Sequence, residues 1–182
     1  HPIYTLSPDG KHAAAPDFRR VDHMRPGYGY TGLPDPNRDV LAPDDSGICS
    51  IDLDTGEATV IVTIADVSKI AYPHADLSTA KHYFNHLLWN TDGTRLEFLH
   101  RWRMGGLATF NTRMMTCAPD GSDVCVVDDY GHTSHFIWRD PKHILAWARH
   151  PSHDDAFYLY EDGTRNVEGV GIGVMTRNGH CT

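Results

Sequence analysis

Histidine is the residue type that points most directly to chemistry in this sequence. The chain has 13 histidines among 182 residues. An imidazole titrates near neutral pH and binds metals when it is neutral, so histidine is the usual general base and metal ligand of proteins. The search for a site therefore begins where histidines recur at related positions.

The strongest local cluster surrounds the turn pair Asp92-Gly93. His86 lies seven residues before Gly93, and His100 lies seven residues after it. In a regular hairpin these positions meet, so the two imidazoles are predicted to be cross-strand neighbours and candidate catalytic bases. The candidate substrate-binding residues beside them are Asn85, Arg101, Trp102 and Arg103. The alternative is a chance pair of polar strand ends.

The arrangement recurs further along the chain. His135 takes the position of His86, Arg149-His150 takes that of His100-Arg101, and His180 opens the following strand in the same way. Equivalent positions of successive repeats converge on one face of a repeat protein. His135 and His180 are therefore predicted to bind a divalent metal such as Mn, Zn or Ca. The alternative is that each histidine caps a strand and faces solvent.

Short strands joined by tight turns must position these side chains. Asp-Gly pairs, which favour hairpin turns, occur at Asp9-Gly10, Asp92-Gly93, Asp120-Gly121 and Asp162-Gly163, and strand-like runs flank them. Gly121 and Gly163 are 42 residues apart, and a four-stranded propeller blade takes about 40 to 50 residues. The predicted fold is all-β, a β-propeller fragment of about three to four four-stranded blades. A β-sandwich is the alternative.

The repeat also predicts where each blade lies within a single partial domain covering 1–182. The first blade is expected at about 1–64 with a long irregular loop at 22–47, the second at 83–128, the third at 133–172, and the start of a fourth at 173–182. A connector at 65–82 could begin a short helix with Asp66 or Asp76 as its N-cap. Three blades leave open edges, so we expect a fragment of a longer protein or a chain completed by another.

Composition excludes some functions and leaves others open. The chain carries 24 acidic and 16 basic residues, for a net charge of −8, which argues against nucleic-acid binding. No apolar run is long enough to cross a membrane. The four cysteines have no CxxC spacing, which favours free thiols over a zinc finger or a disulfide framework. The compartment and the oligomeric state stay open.

Two segments together resemble a known enzyme family. They are Asn85-His86-x-x-Trp89-x-x-Asp92-Gly93-x-x-x-x-Phe98-x-His100 and Ser134-His135-Phe136-x-Trp138. They are similar to segments of the oligogalacturonate lyases, seven-bladed propellers related in fold to the propeller ulvan lyases. The resemblance covers about residues 83–182. Phe136 replaces an acidic residue of the family, and Arg101-Trp102 replaces a Glu-Gly pair.

The resemblance implies a lyase that cleaves uronate-containing oligo- or polysaccharides by metal-assisted β-elimination. It implies His135 as a metal ligand and His86 or His100 as the base. Arg101 and Arg103 would hold the substrate carboxylate, and Tyr130 would protonate the leaving oxygen unless it is only a packed loop aromatic. This interpretation requires His86, His100 and His135 to line one cleft. The alternative function is a non-catalytic propeller, similar to TolB-like modules, that binds a protein or glycan.

Overall fold

Three antiparallel sheets of four strands each make up the fold. The computed structural model describes residues 2–105 and 109–181. The first sheet contains β1 Thr5–Leu6, β2 His12–Pro16, β3 Gly47–Asp52 and β4 Ala58–Thr63; the second contains β5 Lys81–Trp89, β6 Leu96–Arg103, β7 Asn111–Cys117 and β8 Cys125–Asp128; the third contains β9 Thr133–Trp138, β10 His143–His150, β11 Asp154–Glu161 and β12 Val167–Val170. Within each sheet, consecutive strands are neighbours. The all-β prediction is confirmed.

Two hydrophobic clusters hold the three sheets face to face in sequence order. The cluster between the first and second sheets includes Ile48, Phe84 and Phe98. The cluster between the second and third sheets includes Leu99 and Trp138. Adjacent strand residues point to opposite faces, so neighbours in one strand, such as Phe98 and Leu99, serve different clusters. The second sheet therefore has a buried face on both sides.

Asp-Gly pairs form hairpin turns at the four places that the sequence predicts. Gly10, Gly93, Gly121 and Gly163 all have a positive φ, between 70° and 83°, which glycine adopts without steric cost. Each of these turns joins two neighbouring antiparallel strands. The strand-turn-strand pattern read from the sequence is thus confirmed for these hairpins.

The two connectors are more ordered than their composition indicates. Helix α1 spans Phe18–Met24, and its N-cap is Asp17. The buried side chain of Arg20 donates to Asp35 and to the carbonyl groups of Asn37, Val40, Leu41 and His82. One arginine therefore organises much of the 22–47 segment and ties it to β5.

Helix α2 spans Ile64–Ser68 in the second connector. Its N-cap is Thr63, whose hydroxyl accepts from the Asp66 backbone N–H. The prediction of Asp66 or Asp76 as the N-cap is wrong, because Asp66 lies inside the first turn and Asp76 precedes no helix. Among the described residues, no helix is long and apolar enough to span a membrane.

Candidate functional site

A cleft of about 930 Å³ is lined in part by β5 and β9, the first strands of the second and third sheets. The second sheet contributes His86 and Arg101, and the third contributes His135. Residues from distant parts of the chain complete the lining, namely Tyr4, Arg25, Tyr28, Phe110, His132, His180 and Cys181. Four histidines and two arginines thus share one cavity.

His86 reaches the cleft because β5 contains a β-bulge. Asn85 pairs with Leu99, and Leu87 pairs with the adjacent residue Phe98, so His86 is the extra residue between them. Its φ is 50°, an uncommon value for a residue with a side chain, and bulges often redirect a side chain beside an active site. The Tyr4 hydroxyl lies 2.9 Å from His86 Nδ1. The ring is therefore fixed outside the regular ladder.

His135 and His180 lie together on the third-sheet side of the cleft. Their ring centroids are 4.2 Å apart, and His135 Nδ1 lies 2.8 Å from the side-chain oxygen of Asn178. A protein metal site normally needs three or four ligands. No group of three His, Cys, Asp or Glu suited to a metal ion is found among the described residues. These residues do not complete a metal site, and the divalent metal stays a prediction.

Arg101 projects from β6 toward the same cleft and is 3% exposed. Its Nε and Nη1 atoms are buried and have no hydrogen-bond partner among the described residues. Its guanidinium carbon lies 4.6 Å from the centroid of the Phe110 ring. Burial lowers the pKa of Arg101 to about 10, so the side chain is cationic at neutral pH. A buried cation with unsatisfied donors indicates a place for an anionic ligand.

The charge of the cleft contrasts with that of the chain. No Asp or Glu lines the cavity among the residues that the structure describes, although the chain has a net charge of −8. Burial, followed by Arg101, Arg25, His135 and His180, lowers the pKa of His86 to about 3. The imidazole of His86 is therefore neutral at neutral pH, and the electrostatic environment around it is positive.

His100 does not belong to this site, and its prediction as a neighbour of His86 is wrong. The residue opposite His100 is Phe84, because the bulge shifts the pairing. His100 points to the face opposite Arg101 and is fully buried. Its Nε2 lies 2.9 Å from His82 Nδ1, and its Nδ1 accepts from Arg113 Nε. Neither ring nitrogen can reach a ligand in the cleft.

Three other residues predicted for the site make contacts with the surrounding protein instead. Trp102 is 1% exposed and packs against Tyr72, so it offers no face for sugar stacking. Arg103 donates to the carbonyl groups of Met24 and Thr109. Tyr130 packs against His150 and His74 and is absent from the cleft lining, so it cannot protonate a leaving group there.

Asn85 lies beside the bulge and is 4% exposed, with no hydrogen-bond partner for its Oδ1 among the described residues. The cleft residues that sequence reasoning missed are Tyr4, Arg25, Tyr28, Phe110 and His132. Only His132, three residues before His135, carried a visible signal. The others lie outside the strands, where the alternation of strand residues cannot predict their positions.

Comparison with known proteins adds little to this geometry. No family model matches the chain, and no curated protein matches it. Hydrazine synthase of Kuenenia stuttgartiensis is a structural neighbour with 12% sequence identity and a TM-score of 0.45. The match covers 88% of this chain and 42% of that one, so this chain spans less than half of its length. A similarity at this level carries no argument about fold or function.

Proposed function

We propose that this chain is part of a lyase that cleaves an acidic, uronate-containing oligosaccharide by β-elimination. One observation carries the proposal. A neutral imidazole on a β-bulge, His86, faces a cleft that holds the buried donors of Arg101 and no carboxylate among its described lining residues. This combination suits a substrate with a carboxylate next to an acidic C–H bond.

The chemistry needs a base and an anion-stabilising group. When Nδ1–H of His86 donates to the Tyr4 oxygen, Nε2 presents a free lone pair, and it takes the proton from C5 of the uronate. The electron pair of that C–H bond forms the C4=C5 double bond, the C4–O bond breaks with its electron pair on the leaving oxygen, and that oxygen takes the proton from His86 Nε2, which restores the neutral imidazole. Arg101 stabilises the negative charge that develops on the carboxylate. Carboxylate binding also raises the pKa of His86 by offsetting the nearby cations.

The architecture also supports a propeller. Each sheet is a four-stranded antiparallel meander, and each packs face to face on the next through its own cluster. We infer that the three sheets are successive blades, with β1, β5 and β9 lining the centre. Tyr4, His86 and His135 lie just before or within these three strands. The cleft then corresponds to the axis of the propeller, where repeat proteins of this kind bind ligands.

A binding module is the second candidate function. The low pKa of His86, about 3, makes it a weak base, and His100 and Tyr130 lie outside the site. The requirement that three histidines share one cleft is met by His86 and His135 but not by His100. A module that only holds an acidic glycan would need the arginines and the cleft, but not the bulged histidine as a base.

The substitution His86→Gln separates the two functions. We expect it to lower the rate of unsaturated product formation from oligogalacturonate or ulvan by roughly 100-fold or more, measured by ultraviolet absorbance. Binding of the same glycan, measured by calorimetry, should change little. His12→Gln, at an exposed position on β2 outside the cleft, is the control. Wild-type protein that binds the glycan but forms no product would support the binding module, and protein that does neither would reject both functions.

A further inference from the structure

Arg25 is a cleft residue that the chemistry above does not use. It follows helix α1, and its guanidinium carbon lies 3.5 Å from the centroid of the Tyr28 ring and 5.0 Å from that of Phe110. Arg101 contacts the same Phe110 ring at 4.6 Å. Arg103 lies 5.3 Å from the same centroid, so the Phe110 ring is approached by Arg25 from the connector after α1 and by two arginines of β6.

The backbone around Arg25 is held by several independent contacts. Its N–H donates to Val21 O, and its carbonyl accepts from Tyr28 N. Gly29 packs so tightly against α1 that a Cβ there would overlap the backbone of Phe18 and Asp22. The carbonyl of the preceding residue, Met24, accepts from Arg103 Nε on β6. These contacts keep both Arg25 and Tyr28 at the cleft.

Stacking against aromatic rings leaves a guanidinium with a defined binding direction. Contact with an aromatic ring uses the face of a guanidinium, while its N–H bonds lie in the plane of the group, where they can bind a carboxylate with two parallel hydrogen bonds. No hydrogen bond or ion pair to the Arg25 side chain occurs within the described part of the chain. The aromatic contacts therefore orient Arg25 without using its donors.

We propose that Arg25 is a specificity-determining residue that binds a second carboxylate of the ligand, while Arg101 binds the first. The ligand class that fits is an oligosaccharide with uronates on neighbouring sugars, rather than a single uronate. This inference rests on the proposed function in that it assumes an acidic glycan in the cleft. The Phe110 ring, which lies near both guanidinium groups, offers the sugar rings an apolar surface.

Calorimetric binding of trigalacturonate and of monomeric galacturonate tests this assignment in the full chain. We expect Arg25→Ala to weaken trigalacturonate binding by roughly 10- to 100-fold, because one charged hydrogen-bonded contact is lost. Galacturonate binding should change less than about threefold, since Arg101 alone holds one carboxylate. Arg25→Lys should recover only part of the loss, because an ammonium group cannot make the planar two-bond contact.

Arg139→Ala is the matched control, since Arg139 is an exposed arginine on a turn of the third sheet whose side chain, within the described part of the chain, pairs with Asp140 alone. Thermal unfolding of Arg25→Ala should match the wild type, which would show that the variant folds. The proposal is overturned if Arg25→Ala binds trigalacturonate as tightly as the wild type, or if it loses both ligands equally. Failure of the wild type itself to bind either ligand would instead reject the proposed function, and this inference with it.

Discussion

At the scale of single residues, the second sheet contains a chain of hydrogen bonds that fixes two histidines as neutral. Arg113 donates to His100 Nδ1, so the proton of His100 lies on Nε2 and points to His82 Nδ1. Burial, with Arg113 as the next cause, lowers the pKa of His82 to about 4 and that of His100 well below its ordinary value. Arg113 also binds the carbonyl groups of Val67, Ile70 and Ala71, which anchors the segment after α2.

This arrangement predicts acid sensitivity of the fold. In the unfolded chain both histidines titrate near pH 6.5, so between about pH 6.5 and 4 the unfolded state binds protons that the folded state does not. The free energy of unfolding should therefore fall as pH falls through this window, with His82 alone contributing on the order of 3 kcal/mol. Urea unfolding of His82→Gln against the wild type, at several pH values, measures the difference.

Comparing the two proteins separates the contribution of His82 from that of groups whose titration changes stability in the opposite direction. The raised pKa values of the buried acids Glu97 and Asp128 stabilise the fold as pH falls, and they are the same in both proteins. His153→Gln, at an exposed position, should keep the wild-type pH dependence. A His82→Gln variant with the same slope as the wild type between pH 6.5 and 4 would contradict the expectation.

Residue types and spacing predicted the positions of some site residues correctly and those of others incorrectly. Equivalent positions in successive repeats predicted that His86, His135 and His180 would converge, and the structure brings all three to one cleft. Counting seven residues on each side of Gly93 also paired His86 with His100. A one-residue bulge breaks that symmetry, and no local sequence signal marks it. A sequence alone does not distinguish a buried histidine such as His100 from a cleft histidine such as His86.

At the scale of elements, the hairpins follow from local turn chemistry, whereas the connectors depend on buried arginines. An Asp-Gly pair is sufficient to predict a turn because the required φ is a property of glycine. Proline and glycine in the 22–47 segment indicate only irregular structure. The order of that segment comes from Arg20, which binds one carboxylate and four carbonyl groups distributed along the chain. Such a residue cannot be distinguished from a surface arginine by sequence alone.

Two glycines in Asp-Gly turns should respond differently to alanine. A Cβ at Gly121 would overlap the carbonyl of Ile61 on β4, whereas a Cβ at Gly10 would meet nothing within 4 Å. Gly10→Ala should therefore cost about 1 kcal/mol, the penalty of a positive φ. Gly121→Ala should cost several kcal/mol, because two sheets must also move apart. Urea unfolding of both variants measures the two costs, and equal losses would show that the turn of the second sheet does not contact β4 as described.

At the scale of the whole molecule, polar contacts between the second and third sheets add to the packing of the hydrophobic clusters. Arg95 on the second sheet binds Asp162 on the third and Asp123 on its own sheet, with Nε 2.7 Å from the Asp162 carboxylate. Thr116 also donates to Asp162. The Trp138 indole N–H donates to Leu88 O across the same interface. These contacts fix the third sheet on the second.

Removing the arginine of this network should loosen the third sheet. Arg95→Ala leaves the carboxylate of Asp162, which is 8% exposed, without its cation, and we expect a loss of about 2 to 3 kcal/mol in the free energy of unfolding. Arg139→Ala, which removes an exposed pair, should cost less than about 1 kcal/mol. Urea unfolding followed by tryptophan fluorescence compares the two variants. An equal, small loss in both would mean that the sheets are held by apolar packing alone.

The bulge at His86 means that this histidine could be gained or lost without altering the pairing of β5 with β6. Asn85 and Leu87 face consecutive residues of β6, Leu99 and Phe98. A strand without residue 86 would therefore keep an unbroken ladder, and each side chain before and after it would keep its own face. The imidazole is an insertion into a strand that is complete without it. A single codon could therefore add or remove this histidine without changing which strand residues face the two hydrophobic clusters.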